Sequence, residues 1–175
     1  MTKQNERGFT LVELLCAVVV MLLLGTLLAT GTKIAVAAFE RSMAASQAQT
    51  LLSTLQTSVS DELRYAGTIQ LDADGKPTGF FSRSYGEAAY AGFSEDTKGH
   101  VLLGGSKLLP DRAYPNGLQA TVELTGYDAA TRVFSAQITV YGTQRTDGAL
   151  AQTEFEVRQL NVPAALPGDT ETGGG

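Results

Sequence analysis

Hydrophobic and polar positions give this chain three textures. From Phe9 to Ala29 the only charge is Glu13, and only Thr10, Cys16, Gly25 and Thr26 otherwise interrupt an aliphatic run. About 20 mainly apolar residues are enough for a helix to cross a bilayer. From Lys33 to Ala66 the pattern becomes amphipathic. Ala48, Leu52, Leu55, Val59 and Leu63 recur at spacings of four, three, four and four, which is one face of a helix. Arg41, Gln47, Gln49, Gln56, Asp61 and Arg64 fall largely elsewhere, the alanine-rich stretches 35–38 and 44–45 favour helix, and Gly67 is a natural stop. There is no proline before Pro77. A single helix from Phe9 to Ala66 would be roughly 85 Å long, more than a compact domain buries. A membrane helix, a hinge and a separate core helix fit the same residues.

After Gly67 the period shortens to two. Thr68–Leu71 and Gly79–Arg83, joined by Asp72-Ala73-Asp74-Gly75, form a predicted hairpin. Residues 84–117 are glycine-rich and irregular, with His100–Leu103 and Lys107–Leu109 as weak strand candidates. Leu118–Thr125 ("LQATVELT") and Val133–Tyr141 ("VFSAQITVY") alternate apolar with polar, and "GYDAATR" joins them into a second hairpin. Thr153–Val162 ("TEFEVRQLNV") continues the meander. Each strand would turn one face to a core and one to water, with the amphipathic helix as the cover. The expected fold class is therefore α+β, an N-terminal helix packed on an antiparallel meander. Beyond Pro163 the tail has no pattern and reads as flexible.

Composition narrows the functions this fold serves. The 175 residues are 43% hydrophobic and 18% charged, with a formal net charge of −5. That acidic balance argues against direct nucleic-acid binding. The one cysteine, Cys16, forbids an intrachain disulfide. The one histidine, His100, has no ligand neighbours in sequence for zinc, and no acid or nucleophile at a recognisable spacing; it reads as loop surface. "LDADG" spaces Asp72 and Asp74 as in a calcium loop, but its glycine comes two residues early and no later glutamate completes it, so a turn explains it better. "GGS" at 104–106 lacks the spacing and the Lys-Ser/Thr ending of a phosphate loop. Tyr85, Tyr90, Phe93, Tyr114 and Tyr127 suit half-buried packing, with an adhesive surface as the rival. No catalytic residues, cofactor or metal site are expected.

The apolar run poses the sharper question. Lys3 and Arg7 precede it, which places the N-terminus in the cytoplasm and the body across the membrane. A cleaved secretory signal would have a shorter apolar core; Ala35-Val36-Ala37 supplies a small-x-small site, but it lies beyond Lys33. Cys16 follows Leu14-Leu15 too early for a lipoprotein signal. A plain anchor fits the length but leaves Glu13 unexplained, since a carboxylate at a helix centre in a bilayer costs about 2.5–3.5 kcal/mol and a bare anchor gains nothing from one, even near the edge. Snorkelling to the interface is the bland account of Glu13.

The order Arg7, Gly8, Phe9-Thr10-Leu11-Val12-Glu13-Leu14-Leu15 closely resembles the cleavage and methylation signal of the type IV pilin and type II secretion pseudopilin family, over Arg7 to about Ala29. The resemblance implies cutting between Gly8 and Phe9 by a prepilin peptidase on the cytoplasmic side and N-methylation of Phe9. Glycine at the cut suits close backbone approach by a protease. It also implies that Glu13 of one subunit faces the new N-terminus of its neighbour. A carboxylate in low dielectric is tolerable when paired with a cation, so Glu13 would set register by penalising the wrong stagger.

The resulting division is 1–8 leader, 9–32 membrane and filament-core helix, 33–66 amphipathic helix, 67–162 sheet head and 163–175 tail. The implied product is a non-enzymatic filament subunit of a pilus or pseudopilus, with a slight lean to a minor subunit. Its implied partners are prepilin peptidase, other pilin or pseudopilin subunits, an inner-membrane assembly platform and lipid. Family members often carry a proline beside the glycines of the 25–31 zone; its absence leaves melting of the helix there open. The missing cysteine pair departs from pilins with a disulfide-closed C-terminal region. The presence of Glu13 argues against the tip class of pseudopilin. Adhesion or motility, secretion and DNA uptake all remain compatible. A membrane-anchored binding module without a filament is the rival from another class.

Overall fold

The structure, a computed structural model, describes residues 10–82, 84–85 and 90–161. The chain divides into two compact units, Met1–Met43 and Ala44–Gly175. Helix α1, Leu11–Arg64, supplies the described part of the first and opens the second. Within the first unit α1 passes Gly25 and Gly31 without a break, and every described residue is exposed. Its threonines do not compete with the helix. The hydroxyls of Thr26, Thr30 and Thr32 donate to the carbonyls of Leu23 (2.8 Å), of Thr26 and Leu27 (both 3.0 Å), and of Leu28 (2.8 Å).

In the second unit α1 buries one stripe: Ala48, Leu51, Leu52, Leu55, Val59 and Leu63. These are the residues expected from the helical period, with Leu51 added beside Leu52. They join a core whose other wall is a three-stranded antiparallel sheet of strands labelled here in chain order, β6 (Gln119–Asp128), β7 (Val133–Tyr141) and β8 (Ala149–Arg158). Its inward residues include Ala120, Leu124, Phe134, Ala136, Ile138, Val140, Ala151 and Val157, all buried. Phe134 lies at the middle, its ring 4.7 Å from that of Tyr127 and 6.2 Å from that of Phe80, separations at which aromatic pairs attract.

Two smaller sheets precede the meander: β1 (Ile69–Leu71) paired with β2 (Pro77–Phe80), and β3 (Phe93–Glu95), β4 (Val101–Leu103) and β5 (Ser106–Lys107) in that order. The expected first hairpin is present, although β2 begins at Pro77 rather than Gly79 and Arg83 lies outside the described residues. Its turn is organised by Asp72, whose Oδ1 accepts the N–H groups of Asp74 (3.0 Å) and Lys76 (2.8 Å). β3 falls in the stretch expected to be irregular. It is only three residues long and pairs with β4 from Phe93↔Leu103 to Glu95↔Val101. At the β3–β4 turn Gly99 has φ +74°, and a Cβ there would meet the Gln119 side chain at 2.7 Å.

The meander differs from expectation at its ends. β6 runs on to Asp128 because a bulge absorbs Thr125: Leu124 pairs with Ala136, and Gly126 already pairs with Ser135. An extra residue shifts the inward phase, so Tyr127 packs beside Phe134. The joining loop shrinks accordingly, and Arg132 closes it at φ +56°. β8 begins four residues early, at Ala149, and stops at Arg158.

It stops there because the chain turns to the end of α1. Gln159 is 3% exposed. Its amide nitrogen donates to the carbonyls of both Ala66 and Gly67 at 2.8 Å, and its Oε1 accepts from the Tyr127 hydroxyl at 2.9 Å. The Leu160 N–H donates to the Arg64 carbonyl at 2.8 Å. Carbonyls at a helix end need partners, and the Ala66 and Gly67 carbonyls just beyond α1 find theirs 93 and 92 residues downstream.

Candidate functional site

The N-terminal stretch of α1 is the strongest candidate. Gly8 and Phe9 lie outside the described residues, and Thr10 is the first residue within them. The Thr10 hydroxyl accepts the Glu13 N–H at 3.3 Å, and the Thr10 carbonyl accepts the Leu14 N–H at 3.2 Å. Thr10 is thus the N-cap of α1. Glu13 stands three residues on, in the first turn, where the helix macrodipole favours a carboxylate. Threonine and glutamate at this spacing are the sequence mark of a capping box. The sequence reading gave Glu13 a role between subunits and overlooked this local one, although "TLVE" carried the signal.

On both sides of Glu13, from Leu11 to Leu28, the helix is apolar all round. Leu11 is 80% exposed, Met21 74% and Leu28 72%. An 18-residue window has mean hydropathy 2.7, and none of it is buried. A helix hydrophobic all round belongs in a bilayer or among other apolar helices. Its threonines satisfy their own hydroxyls along the backbone, as a lipid environment demands. Cys16 is exposed on this stretch. The arrangement offers a surface to lipid or protein; the one acidic or basic residue on it before Lys33 is Glu13.

The head holds a compact polar cluster that the sequence did not reveal. His100, expected at the surface, is 7% exposed. Its Nδ1 lies 3.2 Å from an Asp111 carboxylate oxygen and 3.7 Å from one of Asp96, and its ring stacks on Tyr114 with centroids 4.1 Å apart. The Asp96 carboxylate accepts the N–H groups of His100 (2.9 Å) and Lys98 (2.8 Å), which hold its pKa below the usual value. Lys107 bonds Asp111 and likewise lowers the Asp111 pKa, with His100 adding to the effect. Burial pushes the Tyr114 phenol up, while its oxygen accepts the Val101 N–H at 3.0 Å. The contacts of His100 with Asp111 and Tyr114 tie the β3–β4 turn to residues 111–114.

Among the described residues, no group of three or more His, Cys, Asp or Glu side chains is placed to hold a metal ion. In the "LDADG" turn the Asp72 oxygen is taken up by backbone N–H groups. Of the aromatics considered for adhesion, Tyr114 is buried, Tyr85, Phe93 and Tyr127 pack against the core, and Tyr90 is 39% exposed.

Residues 3–29 match the family model described as the prokaryotic N-terminal methylation motif. No curated protein and no solved structure matches the chain.

Proposed function

We propose, from the match of residues 3–29 to the methylation motif, that this chain is a prepilin-type structural subunit of the type IV pilin and pseudopilin family, processed by prepilin peptidase, and that its helix assembles it into a pilus or a type II secretion-like pseudopilus as a minor subunit. In this reading residues 1–8 are a cytoplasmic leader, cut between Gly8 and Phe9, and Phe9 is then N-methylated. Residues 9–32 pass from the bilayer into the filament core, residues 33–66 carry the helix into the head, residues 67–162 form the head outside the membrane, and residues 163–175 are its tail. Other pilin or pseudopilin subunits and an inner-membrane assembly platform are the partners. Secretion, adhesion or motility, and DNA uptake by competent cells are the machines such a subunit serves.

The observation that carries the assembly reading is the meeting of the methylation motif with a helix surface that the described residues leave exposed on all sides from Leu11 to Leu28. Glu13 is the residue we assign to register. A new N-terminal ammonium on a neighbour would pair with its carboxylate, and a misplaced neighbour would leave it unpaired in low dielectric. The capping bond from Thr10 uses the Glu13 backbone N–H, so the carboxylate remains available for that pairing.

Intact mass of the protein from the membrane fraction of its host tests the route. The expected mass lacks residues 1–8 and carries one added methyl group. A full-length, unmethylated mass in cells with active prepilin peptidase overturns the reading and leaves a membrane-anchored binding module. Glu13→Ala separates processing from assembly: the variant is expected to be cut and to enter filaments poorly. Incorporation at the normal level overturns the register role alone.

A further inference from the structure

Three asparagines stand in the chain, at 5, 116 and 161, and only Asn116 precedes a glycine. That order is chemically labile. Gly117 has no side chain to shield its backbone nitrogen, so this nitrogen can attack the side-chain amide carbon of Asn116. One C–N bond forms and closes a five-membered succinimide. Another breaks, and the side-chain nitrogen takes up the proton from Gly117 and leaves as ammonia. Water then opens the ring at either carbonyl. One opening gives aspartate at 116. The other gives isoaspartate, in which the main chain runs through the former side chain.

Geometry decides when this happens. Asn116 sits at φ 54° and ψ 28° inside the short helical turn Pro115–Gly117, a left-handed conformation that asparagine tolerates better than most residues. Ring closure needs the Gly117 nitrogen and the Asn116 side chain on the same side of the Cα–C bond. At this ψ they lie nearly opposite. Three hydrogen bonds hold them so. Nδ2 of Asn116 donates to Oε1 of Gln47 on α1 at 2.9 Å. The Thr143 hydroxyl donates to the Asn116 carbonyl at 3.2 Å, and the Leu118 N–H donates to the Pro115 carbonyl at 3.1 Å. Asn116 itself is exposed, so water for the second step is at hand. The fold admits the solvent and withholds the geometry.

We propose that Asn116 is a deamidation site kept latent by the folded head and released when the turn at Pro115–Gly117 opens. Conversion is irreversible, so each event leaves a permanent record of an opening. Neither product restores the turn. Aspartate offers only acceptors, and Gln47 has to turn its amide nitrogen toward it. Isoaspartate adds a methylene to the main chain between Pro115 and Leu118, which displaces their bond at the entry to β6. A head that has opened once therefore closes less well at this turn.

The full chain in detergent micelles tests this, held in mildly alkaline buffer either folded or unfolded in guanidinium chloride, with conversion at each asparagine followed by mass spectrometry of its peptides. In the unfolded chain Asn116 is expected to convert well ahead of Asn5 and Asn161. In the folded chain its conversion is expected to be slower by about tenfold or more. Gln47→Leu combined with Thr143→Val removes two of the three bonds. It should speed conversion in the folded chain severalfold and leave the unfolded rate unchanged, while the β7 amides stay protected from hydrogen exchange. Equal rates in the folded and unfolded wild-type chain overturn the proposal. So does an unfolded chain in which Asn116 converts no faster than Asn161, or a folded rate that the paired substitutions leave unchanged. Where those substitutions unfold the head, the wild-type comparison decides alone.

Discussion

Residues 11–43 and 44–64 belong to one helix and obey opposite rules. In the first stretch large apolar side chains point in every direction and none is buried. In the second a stripe one helical period wide is fully buried, with Leu55, Val59 and Leu63 at 0% exposure. The difference lies in the distribution of apolar residues around the axis. A stripe specifies one partner surface, and the sheet supplies it within the same chain. A uniform coat specifies no direction, so lipid or neighbouring helices satisfy it. The sequence can therefore state which stretch folds against itself and which has to find its environment elsewhere.

The sharpest way to break this contrast is to disable each stretch separately. Gly8→Ala acts on the first alone. It is expected to block processing, read as a retained leader by mass, while exchange protection of β7 in the head stays unchanged. Normal maturation would remove the peptidase reading. Phe134→Ala acts on the second alone: truncating this fully buried ring is expected to cost the head about 3–5 kcal/mol, measured by denaturant unfolding, whereas Leu22→Ala should leave that transition where it is.

Smaller effects sharpen the picture of how the head holds α1. Gln159→Leu strips the Ala66 and Gly67 carbonyls and the Tyr127 hydroxyl of their partner. It should cost about 1–3 kcal/mol, with the new exchange concentrated at the end of α1. Acid should weaken the loops around His100. The carboxyl pKa values of Asp96 and Asp111 lie below the ordinary 3.8 in the folded state. Their contribution is therefore complete above that value and is lost as pH falls through the lower, folded-state values. The head's Tm is expected to drop below about pH 4, and less steeply in Asp96→Asn. Smallest is Arg132→Gly. At φ +56° the left-handed conformation disfavours arginine, so the change should stabilise by about 1 kcal/mol or less.

Much of this was legible because it is periodic. The stripe on α1, the hairpin turn at Asp72 and the three long strands are spelled out by spacing alone. The bulge at Thr125 was not, because a strand that shifts phase looks like a strand that has ended. β3 was missed because three residues amid glycines carry no period; its pairing with β4 is decided by tertiary contact. His100 was misplaced because its burial depends on Asp96, Tyr114 and Asp111, which converge only in the folded head. Gln159 was readable in principle. It follows Thr153, Phe155 and Val157 on the inward phase of β8, and a glutamine in that position needs buried partners. Of the candidate site, Glu13 and the apolar run were evident from composition, while the Thr10 cap lay in the same letters unread.

The clamp made by Gln159 also fixes an order of events. The carbonyls it caps lie 92 and 93 residues earlier in the chain, so the end of α1 stays unfinished until almost the entire head has been delivered. A chain emerging from its N-terminus carries the apolar stretch of α1 long before it carries a closed head. Any truncation before Gln159 leaves that helix end open to water, however many strands have already paired. The last described turn of the polypeptide thus works as a proof of completeness: a subunit whose helix is sealed at Ala66 and Gly67 is one whose synthesis reached β8 and beyond.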